Sequence, residues 1–493
     1  MSMPKLTSIV VGAIATTILL TVAAGAETVP VPETRKPAVS ADSYPFNTAS
    51  HDLVPLDLAK RGYSEEEFIV SGTANVYDWA ADGSLTVKTP KAPYADRILV
   101  RHPSNSSRFS GTVIVELMNP ARRFDWPMMW GYSHDYFMEH GDAWVGITMP
   151  GSVGGLKKFN PTRYAAVGFA NPGTANCAAA GKNAAPDQEE GLRWDMISQV
   201  AAALKSGAAG SPMAGFKVER VFLTTQAGDL VTYINAIHPH AMLANGKPAY
   251  DGYLIKNPAS AVRVNQCAAA PAQGDARRVV HPVSVPIVSV VAQGEVIGNL
   301  ASRRDDSDDP QGRYRLYEIA GVAHIEKYPY SALPSFADQI AAAGAAQGTP
   351  EWPFNAKCDP EIPLGDNPLL KYSYDAAFFN LDQWVAKGVA PPKADRIQVK
   401  DGAIVLDEFG NGVGGVRSPF VDVPMATYFT TSPGPGTCAE LGHMVQFDQG
   451  RLKQLYPDLK VHSSRIVQSI DRMVKERFLT ESDGKRLKTE LLK

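Results

Sequence analysis

Short apolar runs rich in β-branched residues alternate along the chain with longer segments of helical spacing. The runs RILVR at 97–101 and GTVIVEL at 111–117 predict strands buried on both faces, because their central apolar positions do not alternate with polar ones. A helix-like segment at 130–140 and the strand-like run AWVGIT at 143–148 follow. Strand, helix and strand in this order predict a βαβ unit with a right-handed crossover.

The same alternation continues through the middle of the chain. Residues 189–205 carry apolar side chains at helical spacing, and strand-like runs follow at 218–223, 253–255 and 285–291. The run RYRLYEI at 313–319 alternates polar and apolar positions, which is typical of an edge or near-edge strand. The pattern predicts an α/β fold with a doubly wound, mainly parallel sheet, in which ligands bind beyond the carboxyl ends of the strands.

The composition changes along the chain and indicates its domain organisation. Residues 27–90 begin as an arm rich in Pro, Ser, Thr and Ala and continue into short β-like runs broken by Gly and Asp. The α/β core with cap insertions is predicted for 91–400. Residues 401–493 hold a short β-like segment, a Pro- and Gly-rich loop and two helix-like segments near 445–456 and 466–479, which predicts a helical C-terminal extension packed on the core.

The N-terminus has the pattern of a secretory signal peptide. Lys5 precedes an apolar stretch at 9–23, and the small residues AGA at 24–26 offer a cleavage site. The stretch is shorter than the ~20 residues that a membrane span needs, so an uncleaved anchor is the less favoured alternative. We therefore expect residues 1–26 to be removed near Ala26, leaving a secreted or periplasmic protein without a membrane span.

Charge and motifs narrow the classes of partner. A formal net charge of −3 over 493 residues, without a basic run, gives no reason to expect nucleic acid as a partner. The sequence has no zinc-spaced cysteine pair and no Gly-rich phosphate loop, so neither a metal nor a cofactor is predicted. The oligomeric state stays open.

Four cysteines suit an exported protein with two disulfides. Three pairings are open, and we favour Cys177 with Cys267 and Cys358 with Cys438, because the first pair flanks the middle of the core and the second flanks the C-terminal part. Free buried thiols are the alternative.

The stretch VFLTTQAGDL at 221–230 has the features of a nucleophile elbow, in which a strand runs into a short turn that starts a helix. A serine is the usual nucleophile there, and this stretch has none. It offers Thr224, Thr225 and Gln226 instead. A threonine hydroxyl can be activated by a neighbouring base, although its methyl group restricts the side chain and crowds its approach to a carbonyl.

An acid and a histidine follow in the order that such hydrolases use. Glu295 closes the turn AQGE after the run VPIVSVV, where a carboxylate could orient an imidazole, and a solvated turn glutamate is the alternative. The acidic loop at 305–309 is a rival source of the acid. His324 follows the run RYRLYEI in AGVAHIEKY, which favours a catalytic histidine over a structural one.

The oxyanion is expected to bind backbone N–H groups from two places, the residue after the nucleophile and the loop after GTVIVEL. Thr225 and Gln226 are the candidates at the elbow. In the loop, Asn119 could add a donor or fix the loop, and Trp126 could form a wall of the pocket. Both loop residues are equally consistent with plain packing.

Several motifs together resemble a little-characterised α/β-hydrolase-domain family of bacterial proteins. They are GTVIVELMN, DAWVGIT, LKKFNPTRY, EEGLRWDMISQ, LVTYINAIHP, VAQGE and YRLYEIAGVAHIEKY, followed by FDQGRLKQLYPD and RFLTESDGKRLK near the end. The resemblance covers nearly all of the chain after the signal peptide. It implies an α/β-hydrolase fold with a Ser, acid and His triad, and it implies no particular substrate.

The family's elbow resembles Gly-x-Ser-Gln-Ser-Ala-Gly before Leu-x-Thr-Tyr-Ile-Asn. An ungapped count back from LVTYIN places Thr224 at the serine and Phe222 at the first glycine, whereas a slip of one residue would place Thr225 at the serine. We prefer the ungapped count, because it also matches the following Ala and Gly. Glu295 and His324 occupy the family's acid and histidine positions.

Two functions follow from these residues. The first is a secreted hydrolase that acts on a small-molecule carboxylic ester, with Thr224 as nucleophile, His324 as general base and Glu295 as the acid that orients it. The second is a catalytically degenerate protein that binds a small ester-like or hydrophobic ligand. The absence of the family's serine and first glycine from the elbow favours this second function.

Overall fold

The computed structural model of the chain describes Met1 and residues 28–40, 43–173, 187–226, 228–258, 261–345, 357–359 and 369–493. The predicted signal peptide at 1–26 lies outside the described residues except for Met1, and so does Cys177.

A nine-stranded sheet forms the centre of the molecule, and its order is β1-β2-β3-β5-β4-β6-β7-β8-β9. Strands β4 to β9 run parallel to one another, and β1 to β3 form an antiparallel edge next to β5. This confirms the predicted α/β class with a mainly parallel sheet. The strands are β1 (Glu33–Arg35), β2 (Tyr63–Trp79), β3 (Leu85–Pro103), β4 (Thr112–Leu117), β5 (Ala143–Ile147), β6 (Arg220–Gln226), β7 (Gly252–Lys256), β8 (Ile287–Ala292) and β9 (Tyr314–Ile319).

Helices cover the sheet on both faces, and for this reason strands β4, β5, β7, β8 and β9 are buried at every position. Burial on both faces explains why the sequences of β4, β5, β7 and β8 lack polar alternation, whereas β9 alternates and is buried as well. The helices of the core are α1 (Met128–His140), α2 (Val153–Phe159), α3 (Arg193–Lys205), α4 (Asp229–Thr232), α5 (Val296–Asn299), α6 (Phe336–Ala343) and α7 (Leu369–Lys387).

The antiparallel edge is longer than the sequence predicts. In place of short β-like runs, β2 and β3 form one long hairpin with register shifts around Ala74 and Val76. Such bulges let a strand continue through an irregular pattern, which hid this hairpin from the periodicity of the sequence. The predicted boundary between residues 90 and 91 therefore falls inside β3.

Strand β6 also extends further than predicted, to Gln226 instead of residue 223. Thr224, Thr225 and Gln226 pair in register with the last three residues of β7. Threonine is β-branched and fits a pleated strand well, so the pair of threonines continues the ladder where the sequence indicated a turn. The turn into α4 therefore begins after Gln226.

The C-terminal extension covers the outer side of β9. Val416 N–H donates to Glu318 O at 2.7 Å, and Ala320 N–H donates to Val416 O at 3.1 Å. β9 is the edge strand of the sheet, as predicted, yet this contact buries all of it. The elements of the extension are β10 (Val399–Lys400), β11 (Ala403–Ile404), α8 (Pro419–Asp422), β12 (Ala426–Phe429), β13 (His443–Gln446), α9 (Gln449–Leu455), α10 (Leu459–Lys475) and α11 (Glu481–Leu491).

Two helices were predicted near the C-terminus, at 445–456 and 466–479, and the structure has three of seven residues or more. The first segment begins as β13 and continues as α9, α10 overlaps the second, and α11 was not predicted. The disulfide between Cys358 and Cys438 is present, as in the favoured pairing. The pairing of Cys177 with Cys267 stays a prediction, since Cys177 lies outside the described residues.

Within the described ranges, no helix combines the length and the apolar character that a membrane crossing requires. In the same part of the chain, no cluster of three or more His, Cys, Asp or Glu side chains is arranged to hold a metal ion.

Candidate active site

Glu295 and His324 meet beyond the carboxyl ends of two adjacent strands, β8 and β9. Glu295 lies in the turn after β8, and its Oε2 accepts a hydrogen bond from Ala292 N–H at 2.9 Å. Its Oε1 lies 2.5 Å from His324 Nδ1. The glutamate side chain is 3% exposed, whereas the histidine side chain is 22% exposed. The structure therefore brings the predicted acid and histidine together, with the ring at the surface and the carboxylate behind it.

The two turns that carry Glu295 and His324 are joined by two hydrogen bonds. Gly294 N–H donates to Val322 O at 3.1 Å, and Gly321 N–H donates to Gln293 Oε1 at 2.8 Å. Gly321 has a φ of +77°, and a Cβ there would come within 2.6 Å of Val421. Glycine is thus required at the start of the segment 320–327, which we call the histidine loop.

A buried lysine, Lys256, also contacts Glu295, and it was not predicted from the sequence. Lys256 ends β7, its side chain is 0% exposed, and its Nζ lies 2.7 Å from Glu295 Oε1. The same ammonium lies 3.5 Å from His324 O. Burial raises the pKa of Glu295, but the Lys256 ammonium and the His324 ring outweigh it and hold the pKa at about 2. The carboxylate is therefore ionised at any physiological pH.

A sequence signal for Lys256 existed in the run GYLIK. A lysine that directly follows three apolar strand residues, at the carboxyl end of a central strand, is expected to be buried, and a buried ammonium needs a carboxylate partner.

Thr224 does not lie on a turn. It is buried inside β6, two residues before the end of the strand, between Glu116 of β4 and Leu254 of β7. Its Oγ1 is buried and forms no hydrogen bond with any described residue, so it is not hydrogen-bonded to His324 in this conformation. A nucleophile elbow places its hydroxyl on the turn after the strand. The expectation of a turn at Thr224 is corrected, because pairing with β7 continues the strand through it.

The other two elbow candidates differ in what they contact. Thr225 Oγ1 donates to Leu117 O at 3.0 Å, which fastens β6 to the end of β4. Gln226 is the last residue of β6 and pairs with Lys256 in the ladder, while its side chain lies outside the described residues, as does Ala227. The helix α4 begins at Asp229.

The oxyanion loop, residues 118–127, is closed by its own hydrogen bonds. Asn119 N–H donates to Trp126 O at 2.9 Å, and Trp126 N–H donates to Asn119 O at 3.2 Å. The Asn119 side chain accepts from Ala121 N–H at 2.8 Å. Met118 N–H donates to Ile147 O at 3.1 Å. These N–H groups of the loop are therefore engaged, and the Asn119 side chain fixes the loop.

Trp126 brings this loop to the histidine loop. Its side chain is buried, and its ring lies 4.6 Å from the ring of Tyr330, in the turn that follows the histidine loop. Its Nε1 donates to Pro329 O at 3.5 Å. The predicted pocket wall thus packs against the segment that carries His324.

A buried ion network anchors the oxyanion loop to the antiparallel edge of the sheet. Asp125, next to Trp126, accepts from Thr148 Oγ1 at 2.6 Å and lies 3.4 Å from Arg97. Arg97 donates to Glu67 at 2.7 Å. All these side chains are buried. The network explains how an irregular loop keeps its position above the sheet.

The acidic loop at 305–309 is not part of the site. Asp306 accepts from Arg396 at 2.8 Å, and Asp308 contacts Arg315 at 2.5 Å. Ser307 pairs with Tyr314 at the start of β9, whereas His324 follows the end of that strand. These carboxylates bind arginines near the amino end of β9, whereas His324 lies beyond its carboxyl end.

One more buried acid lies in the histidine loop. Glu326 follows His324 by two residues, and neither of its carboxyl oxygens has a hydrogen-bond partner among the described residues. Burial raises the pKa of Glu326 well above its usual range, and the Lys256 ammonium opposes this change without cancelling it. The protonated form of Glu326 is therefore favoured in the folded protein.

We expect the Glu326→Gln variant to lose less stability than the wild type as the pH rises. Because the pKa of Glu326 is raised in the folded state, its protonation contributes fully to the free energy of unfolding below the unfolded pKa of ~4.3. This contribution is lost as the pH rises through the folded pKa. The free energy of unfolding, measured by urea titration at pH 5 and pH 8, should fall less between these values in the variant. A tenfold difference in proton affinity between the folded and unfolded states is worth about 1.4 kcal/mol. Exposed Glu408→Gln is the matched control, and an equal change in both variants contradicts the prediction.

Three solved esterase structures are similar to this chain over part of its length and have little sequence in common with it. Esterase Est22 is 10% identical, with 59% of this chain and 80% of that chain covered and a TM-score of 0.29. A structure from a study of two Rhizomucor miehei esterases is 10% identical, with 58% and 85% covered and a TM-score of 0.30. Esterase B from Lactobacillus rhamnosis is 10% identical, with 51% and 74% covered and a TM-score of 0.26. No curated protein matches the chain.

A family match covers nearly the whole chain. Residues 27–489 match the family described as alpha/beta hydrolase domain. The mainly parallel sheet, with an acid after β8 and a histidine after β9, agrees with that match. The chain belongs to the alpha/beta hydrolase domain family.

Proposed function

We propose that the protein is a carboxylic ester hydrolase in which His324 is the general base and Glu295 orients it. The contact of 2.5 Å between His324 Nδ1 and Glu295 Oε1 carries this proposal. Because the carboxylate engages Nδ1, Nε2 is the ring nitrogen that accepts a proton, and the ionised Glu295 stabilises the imidazolium that forms. The partly exposed ring lies where ligands of such sheets bind.

Thr224 is the proposed nucleophile. Its Oγ1 would attack the ester carbonyl carbon while its proton passes to His324 Nε2. The tetrahedral intermediate would then expel the alcohol, which takes that proton, and water would hydrolyse the acyl-threonine in a second, equivalent step. Since Thr224 lies inside β6, this reaction requires the end of the strand to move toward His324.

Two observations favour a second candidate, a protein that binds an ester-like or hydrophobic small molecule without turning it over. Thr224 Oγ1 forms no hydrogen bond with His324, and the N–H groups of Met118 and Asn119 already donate to backbone carbonyls. An oxyanion hole needs donors aimed at the reacting oxygen. In a binding protein, neither feature would need to change.

Variants of Thr224 separate these candidates. If Thr224 is the nucleophile, a fluorophosphonate probe labels the wild type, and Thr224→Ala loses both labelling and turnover of short-acyl nitrophenyl esters. Thr224→Ser should raise turnover about tenfold or more, because it removes the methyl group that crowds the attack. The readouts are mass spectrometry of the labelled peptide and initial rates.

The matched control is Thr225→Ser, which keeps the hydroxyl that donates to Leu117 O and should stay close to the wild type. A wild type that is neither labelled nor active, with both properties gained in Thr224→Ser, supports the degenerate binding protein. Activity that survives Thr224→Ala and is lost in a His324 variant assigns the attack to a water molecule activated by His324.

A further inference from the structure

We propose that Lys256 is a positioning residue of this site, whose buried ammonium bridges the Glu295 carboxylate to the backbone of the histidine loop and holds the acid against His324. The inference deepens the proposed function and rests on it for its kinetic consequence. Its electrostatic part concerns His324 alone and is measurable without a substrate.

The position of Lys256 in the sheet explains how one side chain reaches both groups. It is the last residue of β7, paired with Gln226 of β6 on one side and with Val290 of β8 on the other. It therefore lies between the end of β6 and the end of β8, the strand that precedes Glu295. Its Nζ contacts Glu295 Oε1 at 2.7 Å and His324 O at 3.5 Å. One ammonium thus links the turn after β8 to the loop after β9.

One oxygen of Glu295 contacts both Lys256 and His324, so the lysine charge also acts on the histidine ring. Glu295 Oε1 contacts both Lys256 Nζ and His324 Nδ1, so the ammonium lies within about 5 Å of the imidazole, a range in which a charge changes the pKa of its neighbour by about one to three. A positive charge at this distance disfavours the imidazolium. Replacement of Lys256 by a neutral residue should therefore favour the protonated ring.

Other titratable groups face this pair from each packed element. Tyr132 of α1 and Tyr374 of α7 lie near Glu295, and burial raises the pKa of both hydroxyls well above the usual range. Burial likewise raises the pKa of Glu326 in the histidine loop, so its protonated form is favoured. In all three groups burial favours the neutral form. Lys256 and Glu295 therefore supply the two charges that the described contacts place next to His324.

The test is an NMR titration of the His324 ring in the full chain, with the resonance assigned by its absence in His324→Gln. We expect Lys256→Met and Lys256→Gln to raise the His324 titration midpoint by about one pH unit or more. Lys256→Gln keeps a donor for Glu295 while it removes the charge, so it remains informative if Lys256→Met does not fold. Lys256→Arg retains the charge and should leave the midpoint close to the wild-type value.

The matched control is Lys205→Met. Lys205 forms an ion pair of 2.7 Å with Asp251 near the opposite end of the same strands, so its loss tests for a general effect of removing a lysine. An unchanged His324 midpoint in Lys256→Gln, or an equal rise in Lys205→Met, overturns the proposal.

The pH profile of kcat/KM distinguishes this inference from the proposed function. If both are right, the acid limb moves to higher pH in Lys256→Gln by the same amount as the midpoint from NMR. A raised midpoint without ester turnover in any variant leaves Lys256 with its role and rejects the hydrolase. Turnover with an unmoved midpoint and limb keeps the hydrolase and rejects the role of Lys256.

Discussion

Replacement of His324 by alanine is expected to lower kcat/KM for short-acyl nitrophenyl esters by about 10²- to 10⁴-fold, the usual contribution of a general base. The ring combines a contact to an ionised carboxylate with exposure to solvent. Its removal leaves Glu295 without an imidazole to orient. Initial rates over a range of substrate concentrations measure the effect.

His240→Ala is the matched control for this prediction, because His240 is exposed and lies in the short turn His238–His240, outside the histidine loop. It should keep the wild-type rate. The thermal midpoint of His324→Ala should also stay close to that of the wild type. Wild-type activity in His324→Ala, or an equal loss in His240→Ala, contradicts the assignment of His324 as the base.

Replacement of Arg97 by methionine is expected to destabilise the fold by about 3 to 5 kcal/mol, the usual result of removing one partner of a buried ion pair. Arg97 is fully buried and donates to Glu67 at 2.7 Å, with Asp125 at 3.4 Å. Without it, two buried carboxylates lose their shared cation. Urea unfolding at pH 7 gives the change in the free energy of unfolding.

Lys36→Met provides the comparison for a surface pair. Lys36 lies 2.8 Å from Glu66, and both side chains are well exposed, so the loss should be about 1 kcal/mol or less. Since Asp125 precedes Trp126, Arg97→Met should also loosen the oxyanion loop and expose the Trp126 ring, which tryptophan fluorescence can follow. Equal losses in the two variants would falsify the idea that the buried network anchors the loop.

The positions of Glu295 and His324 could be predicted from the sequence for a simple physical reason. The apolar run VPIVSVV and the alternating run RYRLYEI both end clearly in the sequence, and polar residues in the turns beyond the carboxyl ends of adjacent parallel strands lie close together. For Glu295 and His324, local pattern and tertiary structure agree. Trp126 was predicted only as a possible pocket wall, and its packing against Tyr330 comes from the tertiary structure.

The end of β6 could not be predicted in this way. Thr224 and Thr225 suit a turn and a strand equally well by composition, and pairing with β7, a distant part of the chain, decides between the two. The helix α7 was not predicted either, because its sequence LLKYSYDAAFFNLDQWVAK is apolar around much of its circumference. A helix buried on several faces lacks the amphipathic stripe on which such predictions depend.

The contact between the C-terminal extension and the histidine loop bears on how this protein matures. Ile325, next to His324, donates its N–H to Glu440 O at 3.1 Å, and β9 is covered by the strand-like contact at Val416. A nascent chain is synthesised from its N-terminus, so the strands of the sheet, Glu295 and His324 are made before the C-terminal extension that supports them. The site is therefore completed only when the last part of the chain has been synthesised. A polypeptide that ends before residue 416 would carry every proposed catalytic side chain but would lack the segment that holds His324 in place.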